Sequence, residues 1–274
     1  MRQLYAVLGR DVSTSLSPLL HTAAATASEI DLAYVPVSCR SGEHFARAVD
    51  ALQTLGALGA NVTIPFKAQA LALSHRLSTT AEEIGAVNTL SFSPDGRIQG
   101  DNTDGPGLLR VLEALPASML HKVQILGAGG AARAAAWALA RSGAGEVLVS
   151  ARRGAEEVAA LARGDARGLG RTRGVTLVVS ALPPDRTLAE QALWEWIDIR
   201  ELPMVLDLAY GGLHQDSPLV LMARAAGLKA TDGRTMLVEQ AALSLALWTG
   251  RDVTRLRAAM RRALGLPADG IAGI

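Results

Sequence analysis

The sequence has a single cysteine, few aromatic residues and almost no net charge, and each shortage excludes a class of protein. Cys39 alone can form neither an internal disulfide framework nor a cysteine-built zinc site. Aromatic residues make up 4% of the chain, and the net charge is +1, from 27 basic and 26 acidic residues. A nucleic-acid-binding face of interleaved basic and aromatic residues is therefore not expected.

Long apolar runs are also missing. The apolar run Leu4–Leu8 is too short for a signal peptide, and the alanine-rich run Ala131–Ala140 is interrupted by Arg133. We therefore expect a soluble, cytoplasmic protein with no membrane span. The five histidines show no metal-ligand spacing, so we expect no metal.

The sequence does contain a regular alternation of short β-rich runs and helical runs over its 274 residues. This alternation predicts an α/β fold with a mostly parallel sheet. We expect two domains, one over residues 1–103 and one over 104–235, with the helices of 236–274 packing on either. At the local level we expect a helix over 18–27 capped by Ser17, a helix over 65–77 and a solvated loop over 163–174.

A glycine-rich loop follows the predicted strand at residues 123–126 and precedes a predicted helix. It reads Gly127-Ala128-Gly129-Gly130-Ala131-Ala132 and fits the G-x-G-x-x-A pattern of dinucleotide-binding domains. Gly127 provides the tight turn in this pattern, Gly129 lets the backbone approach a pyrophosphate, and Ala132 permits close packing of helix on strand. The amides at the helix start attract the phosphates, so the loop predicts a dinucleotide site.

The residues after the next strand, at 146–150, indicate which dinucleotide. NAD sites usually place an acid here for the ribose 2′-hydroxyl. This chain has Arg152 and Arg153 instead, and guanidinium groups suit a 2′-phosphate. We therefore favour NADP, the alternative being a pair of solvated arginines.

Two charged residues lie at strand–helix junctions, where α/β proteins form their sites. Lys67 follows Asn61 and Thr63, which carry ligand-capable side chains, and Asp104 precedes a predicted helix. A solvated lysine and a helix-capping aspartate are the structural alternatives. The hydroxyls of Ser15 and Ser17 precede a helix as well; they could cap it or bind a carboxylate.

Six segments resemble the shikimate dehydrogenase family and occur in that family's order along most of the chain. They are Ser15–His21, Asn61–Lys67, Gly85–Thr89, Asn102–Gly105, Gly127–Ala134 and Gly233–Ala241. The resemblance implies an N-terminal α/β substrate-binding domain, a Rossmann-type NADP-binding domain and C-terminal helices that return to the first domain. It also implies the NADPH-dependent reduction of 3-dehydroshikimate to shikimate, a step toward chorismate and the aromatic amino acids.

The resemblance assigns roles to individual residues. Lys67 and Asp104 match the family's catalytic pair, and Ser15 and Ser17 match the groups that bind the substrate carboxylate. Thr63, Asn88 and Gln240 match residues that contact substrate hydroxyls, and Tyr210 matches a tyrosine near the substrate. The residues assigned to the cofactor site are Gly127–Ala132, Arg152, Arg153 and Gly233.

The chain departs from the family pattern at several positions, of which the Ser180–Asp185 loop is the largest. The related alternative functions are those of a quinate/shikimate dehydrogenase or an aminoshikimate dehydrogenase. An alternative from another class is a non-enzymatic sensor of the same ligand, which the altered loop would allow. Retention of both Lys67 and Asp104 favours an enzyme. Both a monomer and a homodimer fit the sequence.

Overall fold

A computed structural model describes residues 2–268, and its helices and strands form two compact units. The first unit comprises the chain up to Asp104 together with Val238–Ala268, and the second comprises Gly105–Leu237. Residue 1 and residues 269–274, which the predicted first domain includes, lie outside the described residues. Within residues 2–268, no helix has the length and apolar character needed to cross a membrane.

The first unit is a six-stranded sheet with helices around it. Its N-terminal elements are β1 (Gln3–Gly9), α1 (Ser17–Ala27), β2 (Leu32–Ser38), α2 (Gly42–Thr54), β3 (Gly59–Val62), α3 (Lys67–Leu73), β4 (Arg76–Leu77), α4 (Thr79–Ile84), β5 (Thr89–Phe92) and β6 (Ile98–Asp101). The strand order is β2-β1-β3-β5-β6-β4. Strands β2, β1 and β3 are parallel, while β5 runs antiparallel to both β3 and β6.

The second unit is built on a parallel sheet of strand order β12-β11-β10-β7-β8-β9. The remaining elements of the chain, of which α11 belongs to the first unit, are α5 (Asp104–Glu113), β7 (Lys122–Leu126), α6 (Gly130–Leu139), β8 (Glu146–Ser150), α7 (Ala155–Ala162), β9 (Asp165–Arg167), β10 (Leu177–Ser180), α8 (Arg186–Gln191), β11 (Met204–Asp207), α9 (Pro218–Ala225), β12 (Ala230–Thr231), α10 (Arg234–Thr249) and α11 (Val253–Ala263). Helix α10 begins in the second unit and continues into the first. The predicted α/β fold with mostly parallel sheets is confirmed.

Each unit encloses its own apolar core. Strand β3 is buried along its whole length, and the rings of Phe45 and Phe66 stack beneath it with centroids 4.9 Å apart. In the second unit, β10 and β11 are continuous buried runs, as expected for central strands covered by helices on both faces. These rigid strands fix where the loops at their carboxyl ends begin.

Three local predictions are wrong. The predicted helix over 65–77 begins only at Lys67 and ends at Leu73, because Pro65 belongs to a turn and the chain then forms the short strand β4. The predicted loop over 163–174 contains strand β9, which pairs with β8. Both elements are too short to show a hydrophobic period, and each exists through pairing with a distant strand.

The predicted cap of the first helix is wrong as well. Helix α1 includes Ser17 as its first residue, and its N-cap residue, Leu16, makes no side-chain capping hydrogen bond. Ser41 by contrast caps α2, since its Oγ accepts a hydrogen bond of 3.2 Å from the amide of His44. The hydroxyl of Ser17 is therefore not committed to capping its own helix.

Candidate active site

The topology of the first sheet brings several chain segments to one edge. Strands β1 and β3 are parallel neighbours, so the loops that carry Ser15 and Lys67 leave the sheet on the same side. Strand β5 enters and β6 leaves at that edge, because Asn61 of β3 pairs with Thr89, and Thr89 pairs with Asp101. Asn88 and Asp104 therefore arrive beside Lys67, although the sequence separates them widely.

Lys67 and Asp104 form a nearly buried ion pair. The Nζ of Lys67 lies 2.5 Å from Oδ2 of Asp104, and the two side chains are only 13% and 8% exposed. Burial of two charges is costly unless they are paired and hydrogen-bonded, and both conditions are met here. The structural alternatives of a solvated lysine and of an aspartate that acts only as a cap do not describe this pair.

Asn88 holds the other oxygen of the aspartate. Its Nδ2 donates to Oδ1 of Asp104 at 2.9 Å and also lies 3.0 Å from Oγ1 of Thr103. The Asp104 amide donates to Oδ1 of Asn102 at 3.0 Å, which fixes the start of α5. The carboxylate is thus fixed from both sides, by an ammonium and by an amide.

Gln240 reaches the same group from the C-terminal part of the chain. It lies on α10 within the first unit and is 8% exposed. The Nδ2 of Asn88 lies 3.4 Å from its Oε1, which makes this a long hydrogen bond. The structure therefore gathers Lys67, Asn88, Asp104 and Gln240 through direct side-chain contacts.

The two serines lie together at the start of α1. The amide of Ser17 donates to Oγ of Ser15 at 3.3 Å, and Ser17 is 6% exposed. Thr63 follows the end of β3, and its amide donates to the carbonyl of Leu8 in β1 at 2.8 Å. All three residues therefore belong to the carboxyl edge of the parallel strands. Tyr210, in contrast, follows β11 and belongs to the second unit.

A buried polar network behind the pair was not foreseen from the sequence. Its members are Tyr34, Asn61, Thr89, Thr103 and Ser244, all of them buried. The hydroxyl of Tyr34 donates to Oδ1 of Asn61 at 2.7 Å, and Nδ2 of Asn61 donates to Oγ of Ser244 at 2.9 Å. The one signal in the sequence was the asparagine inside β3, since a polar residue in a buried strand requires partners.

His21 is fully buried next to this network. Its ring stacks on Tyr34 with centroids 4.1 Å apart and an interplanar angle of 6°. Burial lowers the pKa of His21 to about 3 because the charged imidazolium loses its hydration. The residue is therefore neutral at physiological pH and acts as a packed aromatic ring.

The second unit carries the glycine-rich loop at the carboxyl end of β7. Gly127 has φ +112°, a conformation that other residues rarely adopt, which accounts for the tight turn. A Cβ on Gly129 would meet no atom within 4 Å, so the space above this backbone is open to a ligand. Ala132 is fully buried against the sheet in α6. The loop therefore fits a dinucleotide pyrophosphate at the start of a helix.

Arginines lie along the same edge of the second sheet. Arg152 and Arg153 follow the end of β8 after Ala151 and are exposed. Strand β9 ends at Arg167, which pairs in register with Ser150. A third arginine therefore lies at the end of the strand next to β8. This third arginine was missed because β9 is too short to show in the sequence. The positive edge suits a ligand with a phosphate on its ribose.

Two further features of the second unit are structural. A Cβ on Gly233 would collide with the backbone carbonyl of Leu208, so close packing already requires a glycine there. Burial raises the pKa of the Asp207 carboxyl to about 6, and a hydrogen bond with Ser217 opposes this rise. Ser217 also caps α9 through the amide of Val220 at 3.3 Å. These contacts hold the strand end that precedes Tyr210.

A buried ammonium–carboxylate pair can stabilise charge and move a proton, and a parallel sheet with an open glycine turn can hold a dinucleotide. The two units thus define the class of dinucleotide-dependent oxidoreductases. The substrate-binding domain model of shikimate dehydrogenase matches residues 7–90, and the shikimate 5′-dehydrogenase C-terminal domain model matches residues 233–264. The chain belongs to the shikimate dehydrogenase family.

Two relatives carry the name of this family, and a third has a different name and a similar fold. Shikimate dehydrogenase (NADP(+)) of Acidiphilium cryptum is 40% identical over 258 residues, which cover 90% of this chain and 91% of the relative. The crystal structure of shikimate 5-dehydrogenase from Thermus thermophilus in complex with NADP(H) and shikimate is 34% identical, with a TM-score of 0.77 and coverage of 95% and 99%. A ligand-free 5-ketofructose reductase of Gluconobacter is 25% identical, with a TM-score of 0.76 and coverage of 96% and 99%.

Proposed function

We propose that this chain catalyses the reversible, NADPH-dependent reduction of 3-dehydroshikimate to shikimate. The observation that carries the proposal is the buried Lys67–Asp104 pair with Asn88 and Gln240 in contact. The relatives named above add support, since the curated and crystallised dehydrogenases are named for shikimate and NADP. The same step places the enzyme in the formation of chorismate and the aromatic amino acids.

The substrate side of the reaction follows from the pair. Reduction of a ketone places negative charge on its oxygen, and the ammonium of Lys67 stabilises that charge and delivers a proton to it. Asp104 holds the ammonium in place through its 2.5 Å contact. Solvent then restores the lost proton to Lys67. The result is one hydride and one proton added to the carbonyl group.

The remaining residues of the first unit bind and orient the substrate in this proposal. Ser15 and Ser17 bind its carboxylate, and the role of Ser17 is supported by its position inside α1, where its hydroxyl is not the N-cap group. Thr63, Asn88 and Gln240 contact the ring hydroxyls. Fixing the ring in one orientation removes much of the entropic cost of the reaction. Tyr210 of the second unit is proposed to lie near the substrate as well.

The second unit holds the cofactor in this proposal. NADPH supplies the hydride when it is bound. The residues that hold it are Gly127, Ala128, Gly129, Gly130, Ala131, Ala132, Arg152, Arg153 and Gly233. The open space above Gly129 and the exposed arginines support the pyrophosphate and the 2′-phosphate contacts, respectively. The proposed domains are residues 1–103 with 236–274 for substrate and 104–235 for NADP.

The proposal extends to the location and the partners of the protein. We propose a cytoplasmic enzyme, since NADPH is produced and used inside cells. Its partners are small molecules rather than nucleic acid or membrane, as the near-zero net charge of +1 supports. It acts as a monomer or a homodimer.

A substrate and cofactor panel tests the proposed function. Shikimate, quinate and fructose, the last for the 5-ketofructose reductase fold relative, are each incubated with NADP and with NAD while reduced cofactor is followed by absorbance. We expect the highest kcat/KM for shikimate with NADP. A preference for quinate would favour the related dehydrogenase, and ligand binding without turnover would favour the sensor.

A further inference from the structure

Ser244 lies at the centre of the buried network and touches neither end of the Lys67–Asp104 pair. It is fully buried on α10, one helical turn after Gln240, and its Oγ donates to the Gln240 carbonyl at 3.0 Å. Its oxygen accepts from Nδ2 of Asn61 at 2.9 Å. The hydroxyls of Thr89 and Thr103 lie 2.9 and 3.0 Å away. Four polar groups therefore converge on one hydroxyl.

The number of protons restricts the direction of these bonds. A hydroxyl has one donor and two acceptor positions. Ser244 gives its proton to the Gln240 carbonyl and accepts one from Asn61, so it can accept one more, from Thr89 or from Thr103. Each threonine has a single hydroxyl proton, and the other acceptors within reach are Oδ1 of Asn88, at 3.0 and 3.2 Å, and the oxygen of the other threonine, at 3.3 Å. The contact between the threonines is the longest of the set, so the distances favour one threonine donating to Ser244 and the other to Asn88.

This arrangement determines how Asn88 is turned. Its Oδ1 accepts from the Thr103 amide at 2.8 Å and from one threonine hydroxyl. With its oxygen occupied in this way, the side-chain amide directs its nitrogen toward Oδ1 of Asp104 at 2.9 Å. A flipped Asn88 would instead set an oxygen against the carboxylate, which has no proton to offer. The network therefore acts together with the Thr103 amide to present the nitrogen of Asn88 to Asp104.

We propose that Ser244 is a positioning residue that acts through Asn88 on Asp104 and Gln240. It keeps the threonine hydroxyls in a single donor pattern and ties α10 to that pattern through the Gln240 carbonyl. Without the Ser244 hydroxyl, one threonine proton loses its acceptor, and Nδ2 of Asn61 keeps only Oγ1 of Thr89 and the Asn88 carbonyl, at 3.1 and 3.3 Å. The threonine hydroxyls then lose their fixed donor pattern, and Asn88 is held by fewer contacts, chiefly the Thr103 amide and the Asp104 carboxylate.

This inference rests on the proposed function, and a double-mutant cycle tests it. The steady-state kinetics of shikimate oxidation and the melting temperature are measured for the wild type, Ser244→Ala, Asn88→Ala and the double variant. We expect Ser244→Ala to lower kcat/KM about tenfold in the wild-type background and by less than about twofold in the Asn88→Ala background. A residue that acts through Asn88 has little left to influence once Asn88 is gone.

Thr249→Val is the matched control, because the Thr249 hydroxyl makes the same type of bond on the same helix, to the Leu245 carbonyl at 2.6 Å. It should leave kcat/KM unchanged in both backgrounds. Should Ser244→Ala not fold, Ser244→Cys enters the same cycle with the same expectation, since a thiol is a weak hydrogen-bonding group. Equal losses in both backgrounds, or no loss in either, would overturn the positioning role. A wild type without turnover would overturn the proposed function as well, so the two failures are distinguishable.

Discussion

Lys67 combines two properties at the scale of a single residue: it is almost buried, and it has one carboxylate partner. Its ammonium contacts Asp104 at 2.5 Å, with the lysine side chain 13% exposed. We expect Lys67→Met to lower kcat by about 10²- to 10⁴-fold, the usual contribution of a proton-transfer group, with a much smaller change in KM. Steady-state kinetics in the direction of shikimate oxidation measure both constants.

Lys122→Met provides the control for this prediction. Lys122 also pairs with a carboxylate, that of Glu146 at 2.9 Å, but it joins two strand starts in the second unit. Its loss should leave kcat unchanged. A Lys67→Met variant that keeps the wild-type kcat would remove Lys67 from the chemistry.

His21 makes stability depend on pH. In the unfolded chain it takes up a proton near its usual pKa of 6.5, whereas burial holds its pKa at about 3 in the fold. Between these values the unfolded state binds more protons, so the free energy of unfolding falls as pH falls. The slope from this residue is at most about 1.4 kcal/mol per pH unit. Urea unfolding at pH 7.5 and at lower pH measures it.

His21→Phe isolates this effect, since phenylalanine keeps a ring against Tyr34 but cannot take up a proton. We expect the stability difference between wild type and variant to shift in favour of the variant as pH drops below 6.5, the usual pKa of histidine. A constant difference over that range would show that His21 does not contribute to acid unfolding.

At the scale of elements, the starts of α1 and α2 differ in what their serines do. Ser41 caps α2 through the amide of His44, whereas the N-cap of α1 is Leu16, and Oγ of Ser15 accepts only a long bond of 3.3 Å from the amide of Ser17. We expect Ser15→Ala to raise the KM for shikimate with little change in melting temperature. Ser41→Ala should do the reverse and cost about 1 kcal/mol of stability. An unaltered KM in Ser15→Ala would return this segment to a structural role.

We expect the residues that follow β8 to determine the choice between NADP and NAD. Arg152 is exposed beside the glycine turn, and a charge-assisted pair with a 2′-phosphate contributes roughly 1.5–3 kcal/mol. We therefore expect Arg152→Ala to weaken NADP binding about ten- to a hundredfold and NAD binding far less. Calorimetric titration measures both constants, with Arg110→Ala on α5 as an exposed-arginine control. Equal weakening of both cofactors would indicate a structural role.

The elements that the sequence predicted well are those with a strong local signal. The predicted strands at 123–126 and 146–150 match β7 and β8. Strands β4, β9 and β12 escaped prediction because two or three residues show no period and depend on a partner strand. The cap at Ser17 failed for a related reason: the serine suits a cap, but the turn before α1 places Leu16 there.

At the scale of the whole molecule, contacts between distant parts of the chain decide what the sequence reveals. Lys67 and Asp104 could be identified because they are charged residues at strand–helix junctions, and the family resemblance assigned Asn88 and Gln240. Ser244 could not be identified, since a lone serine on an apolar helix carries no signal in the sequence. Its contact with Thr103 spans 141 positions and exists only in the folded chain.

Isotope transfer is the most direct test of the central claim, that this chain moves a hydride between shikimate and NADP. The enzyme is incubated with NADP and shikimate deuterated at carbon 3, and the reduced cofactor is analysed by NMR and mass spectrometry. The account predicts that deuterium appears at C4 of the nicotinamide in NADPH, together with unlabelled 3-dehydroshikimate. NADPH that carries only protium at C4, or no reduction of NADP at all, would contradict it.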